Sequence, residues 1–196
     1  MVFSTEDNEY FRLTDEGKEL ALKLIRWCKD SPYNIFIELT EETPISHCRN
    51  NIVKKFLASD NEYLLQIDED IVPDRNPLEL IELDKDIIVC PCPIYQYKIL
   101  WNVYNTDSKG FWIPVDLSKE KGIIEIDAAG TGCILIKRNV LEAIKAPFER
   151  IFNDDGTEKM GLDLSFSKKS KEKGFKLFAS IEHKCSHYKT LDLKNL

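Results

Sequence analysis

Short apolar segments alternate with helix-forming segments along most of this sequence. Two of them precede patterns typical of helix starts, where Thr43-Pro44 and Asn76-Pro77 each combine a capping side chain with a proline at the first helical position. Because neighbouring parallel strands are joined by crossover connections, such repeats predict an α/β fold with a mostly parallel sheet flanked by helices. The predicted strands cover residues 34–39, 63–67, 87–90, 132–136 and 175–179.

Other signals predict the elements between these strands. An acidic start at Thr14-Asp15-Glu16 indicates a first helix. A last helix is expected from about Leu162 to Lys173, with Gly174 as its C-cap, and Asn153-Asp154-Asp155-Gly156 is typical of a turn. Residues 91–122 are rich in aromatic side chains and prolines, and we expect irregular or β-rich structure there.

Length and composition limit the classes of protein that fit. A chain of 196 residues with 43% hydrophobic and 31% charged residues is typical of a single globular domain. No apolar run approaches the roughly 20 residues of a membrane span, and the start lacks a signal peptide, so we expect a cytoplasmic protein whose cysteines are reduced. A net charge of −7 argues against a nucleic-acid partner.

Two carboxylates at the end of a predicted buried strand form the main candidate site. The strand Tyr63-Leu64-Leu65-Gln66-Ile67 leads directly into Asp68-Glu69-Asp70. Ligands of open α/β sheets bind at the carboxyl ends of strands, and paired carboxylates suit oxygen-preferring cations such as Mg²⁺ or Mn²⁺. A solvated turn is the alternative reading of these acids.

The order of several motifs resembles glycosyltransferase family 2 and related GT-A enzymes. The resemblance covers roughly residues 33 to 187. The matching stretches are Pro44-Ile45-Ser46-His47-Cys48-Arg49-Asn50-Asn51, Phe56-Leu57, Tyr63 through Pro73, Ala129-Gly130-Thr131-Gly132-Cys133, Gly161-Leu162-Asp163-Leu164-Ser165-Phe166, and Cys185-Ser186-His187.

The resemblance implies a GT-A type fold with a Rossmann-like mixed sheet in one domain over residues 1–196. Its nucleotide-binding half would span about 1–90 and its acceptor half about 91–196. Asp68 and Asp70 would hold Mn²⁺ or Mg²⁺ against the diphosphate of a nucleotide-diphosphate sugar. His187 would complete the metal or phosphate site; an ordinary exposed histidine is the alternative for that residue. Arg49 would lie near the phosphates; a surface salt bridge is the alternative for that arginine.

The resemblance also assigns residues to the transfer step. Asp163 matches the carboxylate that takes a proton from the acceptor hydroxyl in inverting enzymes, although a helix-capping role is the alternative. Leu162 stands where the family usually has glutamate, so this motif is incomplete. Gly130 and Gly132 would let the backbone approach the donor sugar or the acceptor, unless they only form a tight turn.

Family habit favours a UDP-sugar as donor, and the acceptor would be a carbohydrate or another hydroxyl-bearing molecule. The aromatic stretch from Tyr95 to Trp112 would offer a stacking platform for it.

Other functions fit parts of the sequence. A sugar-phosphate nucleotidyltransferase would share the sheet and the metal, but it typically needs a glycine-rich phosphate loop after its first strand, and the first glycine here is Gly17. A non-catalytic relative would keep only sugar-nucleotide binding. A zinc-stabilised interaction module would use the soft ligands near the centre and end of the chain, which are Cys90, Cys92, His183, Cys185 and His187.

Overall fold

Sixteen short strands and four α-helices make up the part of the chain that the structure describes. The structure is a computed structural model, and it describes residues 2–4, 10–12, 15–40 and 43–189. The helices are α1 (Asp15–Lys29), α2 (Ile45–Leu57), α3 (Arg138–Ala143) and α4 (Leu162–Glu172), with 3₁₀ helices at Pro77–Leu83 and Leu117–Lys119. The strands are β1 (Val2–Ser4), β2 (Tyr10–Arg12), β3 (Tyr63–Ile67), β4 (Ile71–Pro73), β5 (Ile87–Val89), β6 (Pro93–Gln96), β7 (Lys98–Trp101), β8 (Val103–Thr106), β9 (Trp112–Pro114), β10 (Ile123–Ile126), β11 (Ala128–Ala129), β12 (Cys133–Lys137), β13 (Ile151–Phe152), β14 (Glu158–Met160), β15 (Leu177–Ser180) and β16 (Cys185–His187).

A five-stranded mixed sheet lies at the centre of the fold, in the order β10-β15-β5-β12-β3. Only β15 and β5 pair in parallel within it, whereas the pairs β10/β15, β12/β5 and β12/β3 are antiparallel. The prediction of a mostly parallel sheet is therefore wrong in this detail. The reason is that β12 lies between β3 and β5 and runs antiparallel to both. β3 and β5 point the same way but are therefore not neighbours.

Residues 34–39 do not form the strand that their apolar pattern predicts. The structure assigns them no regular secondary structure, and Phe36 is 79% exposed. Strand propensity describes how well a side chain packs on a half-buried sheet, and in the described part of the chain β3 pairs only with β12. Without a neighbouring strand, this segment gains no ladder hydrogen bonds.

The central sheet is buried on both faces. On one face, Ile87, Val89, Ile134 and Ile136 belong to a core cluster that includes residues of α2, α3 and α4, and on the other face Ile88 and Leu135 pack in a cluster with Leu80. This alternation follows the two-residue period of a strand. Successive side chains of each central strand therefore enter the two clusters in turn.

Several local signals are confirmed. The Asn76 side chain accepts a hydrogen bond from the Leu78 amide at 3.1 Å, although the segment that it caps is a 3₁₀ helix. α4 begins at Leu162 and ends at Glu172, and Gly174 takes a positive φ just beyond it. α2 begins at Ile45, one residue later than predicted, with Pro44 in the N-cap position.

Residues 91–122 are β-rich, as predicted. They form the hairpin β6–β7 and the strands β8 and β9, which join β11 in a three-stranded sheet. The hairpin turn carries Tyr95 and Tyr97, both largely exposed. Among the described residues, no helix has both the length and the apolar character needed to cross a bilayer.

Candidate functional site

Asp68, Glu69 and Asp70 form a tight turn between β3 and β4. The Asp68 amide donates to the Gly132 carbonyl at 2.8 Å, and the Ile71 amide donates back to the Asp68 carbonyl at 3.0 Å. The turn therefore lies at the carboxyl end of β3, where the sequence predicts it, and it is tied to the start of β12.

Arg49 is buried and forms an ion pair with the partly exposed Asp68. It projects from α2, is 5% exposed, and donates from Nη2 to both Asp68 carboxylate oxygens at 2.9 Å. The Asp68 side chain keeps 37% of its area exposed, so the pair has one buried and one accessible member. Arg49 is thus not in a surface salt bridge.

Thr131 connects this ion pair to Asp163. Arg49 Nη1 donates to the Thr131 carbonyl at 3.0 Å and to its hydroxyl, and that hydroxyl donates to Asp163 Oδ1 at 2.5 Å. Asp163 lies in the first turn of α4, whose N-cap is Gly161, so Asp163 is not the capping residue. The structure therefore brings Asp68, Arg49 and Asp163 into one hydrogen-bonded network.

Three residues of this network carry no signal of their own in the sequence. Thr131 stands between Gly130 and Gly132, and its hydroxyl contacts both Arg49 and Asp163. The Phe148 ring lies 5.6 Å from the Arg49 guanidinium, and Asn50 holds the Phe148 backbone through its side-chain amide, which donates to the carbonyl at 2.6 Å. Only the presence of Asn50 and Thr131 in stretches that match the family hints at these roles.

Asp70 faces His187 on the neighbouring strand. β4 and β16 pair antiparallel with His187 opposite Ile71, which brings His187 Nε2 to 3.3 Å from Asp70 Oδ2. His187 Nδ1 lies 2.7 Å from the Pro93 carbonyl, an acceptor only, so Nδ1 carries the proton of that hydrogen bond. Nε2 then faces the Asp70 carboxylate, where either a proton on Nε2 or a bound cation would link the two groups.

The side chains at this turn fit a divalent cation in part. Ligand atoms bound at about 2.1 Å and at right angles are about 3 Å apart, close to the separation of Asp70 Oδ2 and His187 Nε2. Lys189 Nζ is 2.6 Å from the same Asp70 oxygen and supplies a positive charge there. Both Asp68 oxygens accept from Arg49, and the ligand atoms of Asp68, Asp70 and His187 do not all lie within 4.8 Å of one another. The three predicted ligands therefore do not form a closed set. Asp68 has remaining lone pairs that a metal could share.

Burial shifts the ionisation of Asp68. It raises the pKa of this carboxyl to about 6, against the lowering effect of Arg49, and the nearby charges of Asp163 and Asp70 raise it further. The acid at the centre of the network therefore takes up a proton in mildly acidic solution.

Gly130 and Gly132 pack closely against neighbouring side chains beside the site. A Cβ on Gly130 would stand 2.6 Å from the Asn102 side-chain nitrogen, and one on Gly132 would stand 3.1 Å from the Ile71 side chain and 3.6 Å from Asp68 Oδ2. Both positions therefore allow neighbouring protein atoms to approach. Their predicted contacts with a donor remain predictions.

Leu162 is a core residue in this structure. It is 7% exposed and packs in the same cluster as Phe148 and Phe166. The position that usually holds glutamate thus points into the core, while the next residue, Asp163, points towards Thr131.

The soft ligands of the zinc hypothesis separate into different places. His183 binds Ser180 and Glu79, at 2.8 and 3.3 Å, and His187 belongs to the site at Asp70. The Sγ atoms of Cys90, Cys133 and Cys185 all lie within 4.8 Å of one another, and this is the one group of three or more such ligands that close together in the described residues. Cys133 was not among the predicted zinc ligands.

Two surface cavities lie away from these residues. One, of about 420 Å³, is formed by the β13–β14 hairpin and includes Asn153 and Asp155. The other, of about 340 Å³, is lined by Tyr63 and Lys137, at the end of β3 and β12 opposite to Asp68. Neither contains a predicted site residue.

Comparison with known proteins gives matches in structure alone. No family model and no curated protein matches the sequence. The structure of A197 from STIV matches with a TM-score of 0.57 at 25% sequence identity, covering 86% of this chain and 80% of that chain. The structure of GalNAc-T7 with UDP, GalNAc and Mn²⁺ matches with a TM-score of 0.52 at 17% identity, covering 91% of this chain and 36% of that one.

These matches define the fold class. The chain is a mixed α/β domain whose architecture is similar to that of GalNAc-T7, in line with the GT-A-like fold expected from the sequence. It spans about a third of the length of the GalNAc-T7 chain. GalNAc-T7 was crystallised with a nucleotide, a sugar and a divalent metal.

Proposed function

We propose that this protein is a metal-dependent glycosyltransferase that moves a sugar from a nucleotide-diphosphate sugar, with UDP favoured, to an acceptor hydroxyl. One observation carries the proposal: the two acids of one turn face two different partners. Asp70 faces His187, and Asp68 is linked through Arg49 and Thr131 to Asp163. The likeness in fold to GalNAc-T7 supports it.

Asp70 and His187 are the part of the site that we assign to binding the diphosphate through a metal ion. Asp70 and His187, with a lone pair of Asp68, would hold Mn²⁺ or Mg²⁺, which would neutralise charge on the phosphates and on the departing nucleotide. Local positive charge is needed because the chain as a whole is acidic, with a net charge of −7. Arg49 is buried and bound to Asp68, so we assign it to fixing the carboxylate.

The second half suits proton transfer. The Thr131 hydroxyl holds Asp163 Oδ1, which fixes the orientation of the carboxylate at the start of α4. We assign Asp163 as the base: the acceptor oxygen bonds to the anomeric carbon, its proton moves to the Asp163 carboxylate, and the bond from carbon to phosphate oxygen breaks with its electron pair leaving on the nucleotide diphosphate. Attack from the face opposite the leaving group inverts the sugar.

Thermal-shift measurements with nucleotides and Mn²⁺ test donor binding. A bound ligand stabilises only the folded state, so UDP, GDP, CMP and TDP compounds are compared with and without the metal. We expect UDP to raise the melting temperature only when Mn²⁺ is present, and Asp70→Asn to remove this rise. Asp60→Asn, which neutralises an exposed acid just before the start of β3, at the end of that strand opposite to the turn, is the control. If no nucleotide raises the melting temperature of the wild type, the proposal is wrong.

Turnover separates the transferase from the other candidates. We expect metal-dependent release of nucleotide diphosphate from the sugar donor, and Asp163→Asn should keep the thermal shift while lowering this rate about 10²–10⁴-fold. Binding without turnover would identify a non-catalytic relative. Pyrophosphate release from a nucleoside triphosphate and a sugar phosphate would identify a nucleotidyltransferase.

A further inference from the structure

Four of the six cysteines of this chain lie together beneath the candidate site. Cys90 follows β5, Cys133 begins β12, and Cys185 begins β16, and each is at most 3% exposed. Their three Sγ atoms lie within 4.8 Å of one another. Cys92 is equally buried, and its thiol donates to the Cys90 carbonyl at 3.3 Å, but its Sγ atom lies outside the group of three sulfur atoms that are all within 4.8 Å of one another.

From this geometry we propose that Cys90, Cys92, Cys133 and Cys185 bind a structural zinc ion. Zinc takes four thiolates in a tetrahedron at about 2.3 Å, which places the sulfur atoms about 3.8 Å apart. Three of these atoms already converge to within about 1 Å of that spacing. Cys92, whose thiol is bound to the Cys90 carbonyl, would turn its sulfur towards them to complete the set. Each thiol that binds releases its proton to solvent.

The backbone around the thiols holds them in fixed positions. The Cys90 amide donates to the Cys133 carbonyl at 3.0 Å, and the Cys185 amide donates to the Pro91 carbonyl at 3.0 Å. The sulfurs therefore come from three segments that are far apart in sequence and are joined by main-chain hydrogen bonds. A closed, solvent-free set of this kind matches a structural zinc site, whereas a catalytic zinc keeps one position open.

This zinc site is distinct from the metal site proposed at Asp70 and does not depend on the proposed function. It would nevertheless support that site, because each segment continues into it. Cys133 follows Gly132, whose carbonyl binds the Asp68 amide, and Cys185 precedes His187 on β16. Cys92 precedes Pro93, whose carbonyl binds His187 Nδ1.

Metal analysis of protein purified from zinc-supplemented growth tests the proposal. We expect about one zinc per chain, as in other closed four-ligand sites, and a loss of at least about tenfold in Cys133→Ser and in Cys185→Ser. Cys28→Ser and Cys48→Ser are matched controls, since both cysteines are only half-buried and lie outside the cluster, and they should keep the zinc. Asp70→Asn should keep it as well, which separates the two metal sites.

A second measurement avoids dependence on variants that fail to fold. In the wild type, a mercurial reagent that blocks thiols should release the zinc, and replacement by Co²⁺ should give the charge-transfer absorption of cobalt thiolates. Removing the zinc with a chelator should lower the melting temperature, because the metal stabilises the folded state. Wild-type protein without zinc and without the cobalt absorption would overturn the proposal, as would an intact mass that reveals a disulfide among these cysteines.

Discussion

At the scale of single residues, Asp68 shows how one side chain serves two neighbours. Its carboxylate accepts from the buried Arg49 and remains partly open to solvent beside Asp70. Burial raises its pKa to about 6, whereas the value in an unfolded chain is near 3.8. The folded protein therefore binds this proton more tightly than the unfolded chain does.

The sign of the pH effect follows from this shift. The contribution of Asp68 to stability is present in full below pH 4 and is lost as the pH rises through 6. Metal binding has the opposite dependence, because the ligand must be deprotonated. We expect the affinity for Mn²⁺ to rise by up to about tenfold per pH unit below pH 6 and to level off above it.

Calorimetric titration of Mn²⁺ between pH 5 and 7.5 measures this dependence. Asp68→Asn should make the affinity for Mn²⁺ less dependent on pH. Asp70→Asn, which removes a ligand, should weaken Mn²⁺ binding at every pH. An affinity for Mn²⁺ in the wild type that stays constant across this range would contradict the assignment of Asp68 as a ligand.

At the scale of elements, Arg138 fixes the end of α2 that lies opposite to the candidate site. Its guanidinium donates to the carbonyls of Phe56 at 3.1 Å and of Ser59, and its Nε donates to the Asn61 carbonyl at 2.7 Å. Phe56 lies in the last turn of α2 and the other two residues just beyond it, and the Phe56 carbonyl also accepts from the Ser59 amide at 3.1 Å. The same guanidinium lies 4.9 Å from the centre of the Phe56 ring.

We expect Arg138→Met to lower the free energy of unfolding by roughly 1.5–3 kcal/mol, since hydrogen bonds from a charged donor are lost together with a cation–π contact. Urea denaturation followed by circular dichroism measures the change. Arg150→Met is the control: this arginine pairs with Glu158 at the surface, and its loss should change stability by less than about 1 kcal/mol. Equal effects in the two variants would show that the carbonyl contacts of Arg138 contribute little.

At the scale of the whole molecule, the amino-acid pattern predicts the elements better than their arrangement. The strand at 63–67, the helix that ends before Gly174 and the β-rich region after residue 91 depend on local periodicity and capping, and the structure has all three. The insertion of β12 between β3 and β5 depends on pairing across many residues, which no local pattern reveals. The prediction of a strand at 34–39 is wrong for the same reason, because the local pattern does not show whether a partner strand is present.

In the candidate site too, local motifs predict some residues, whereas contacts between distant residues are not predictable from the sequence. The order of motifs pointed to Asp68, Asp70, Asp163 and His187, and the structure places them around one end of β3 and β12 and at the start of α4. Thr131 was missed as a functional residue because its role depends on two partners, 82 and 32 positions away, that only the folded chain brings together. The clustering of Cys133 with Cys90 was missed because it depends on the antiparallel register of β12.

Hydrogen exchange tests how the first segment takes part in donor binding. Residues 34–40 have no regular secondary structure in the free protein, so their amides should exchange quickly. If the nucleotide base binds beside this segment, UDP with Mn²⁺ should slow their exchange at least several-fold. The β13–β14 hairpin should be unaffected and is the internal control. Protection elsewhere, without change at 34–40, would place the base at a different part of the protein.

The pairing of β4 with β16 has a consequence for how the protein is made. Asp70 and its partners His187 and Lys189 come from distant parts of the chain, and Lys189 is 119 positions away from Asp70. A ribosome that has released only the first half of the protein therefore presents Asp68 and Asp70 without the imidazole that faces them. During synthesis the turn gains the imidazole that faces Asp70 only after residue 187 has been added, so a chain that stops before β16 leaves Asp70 without this partner.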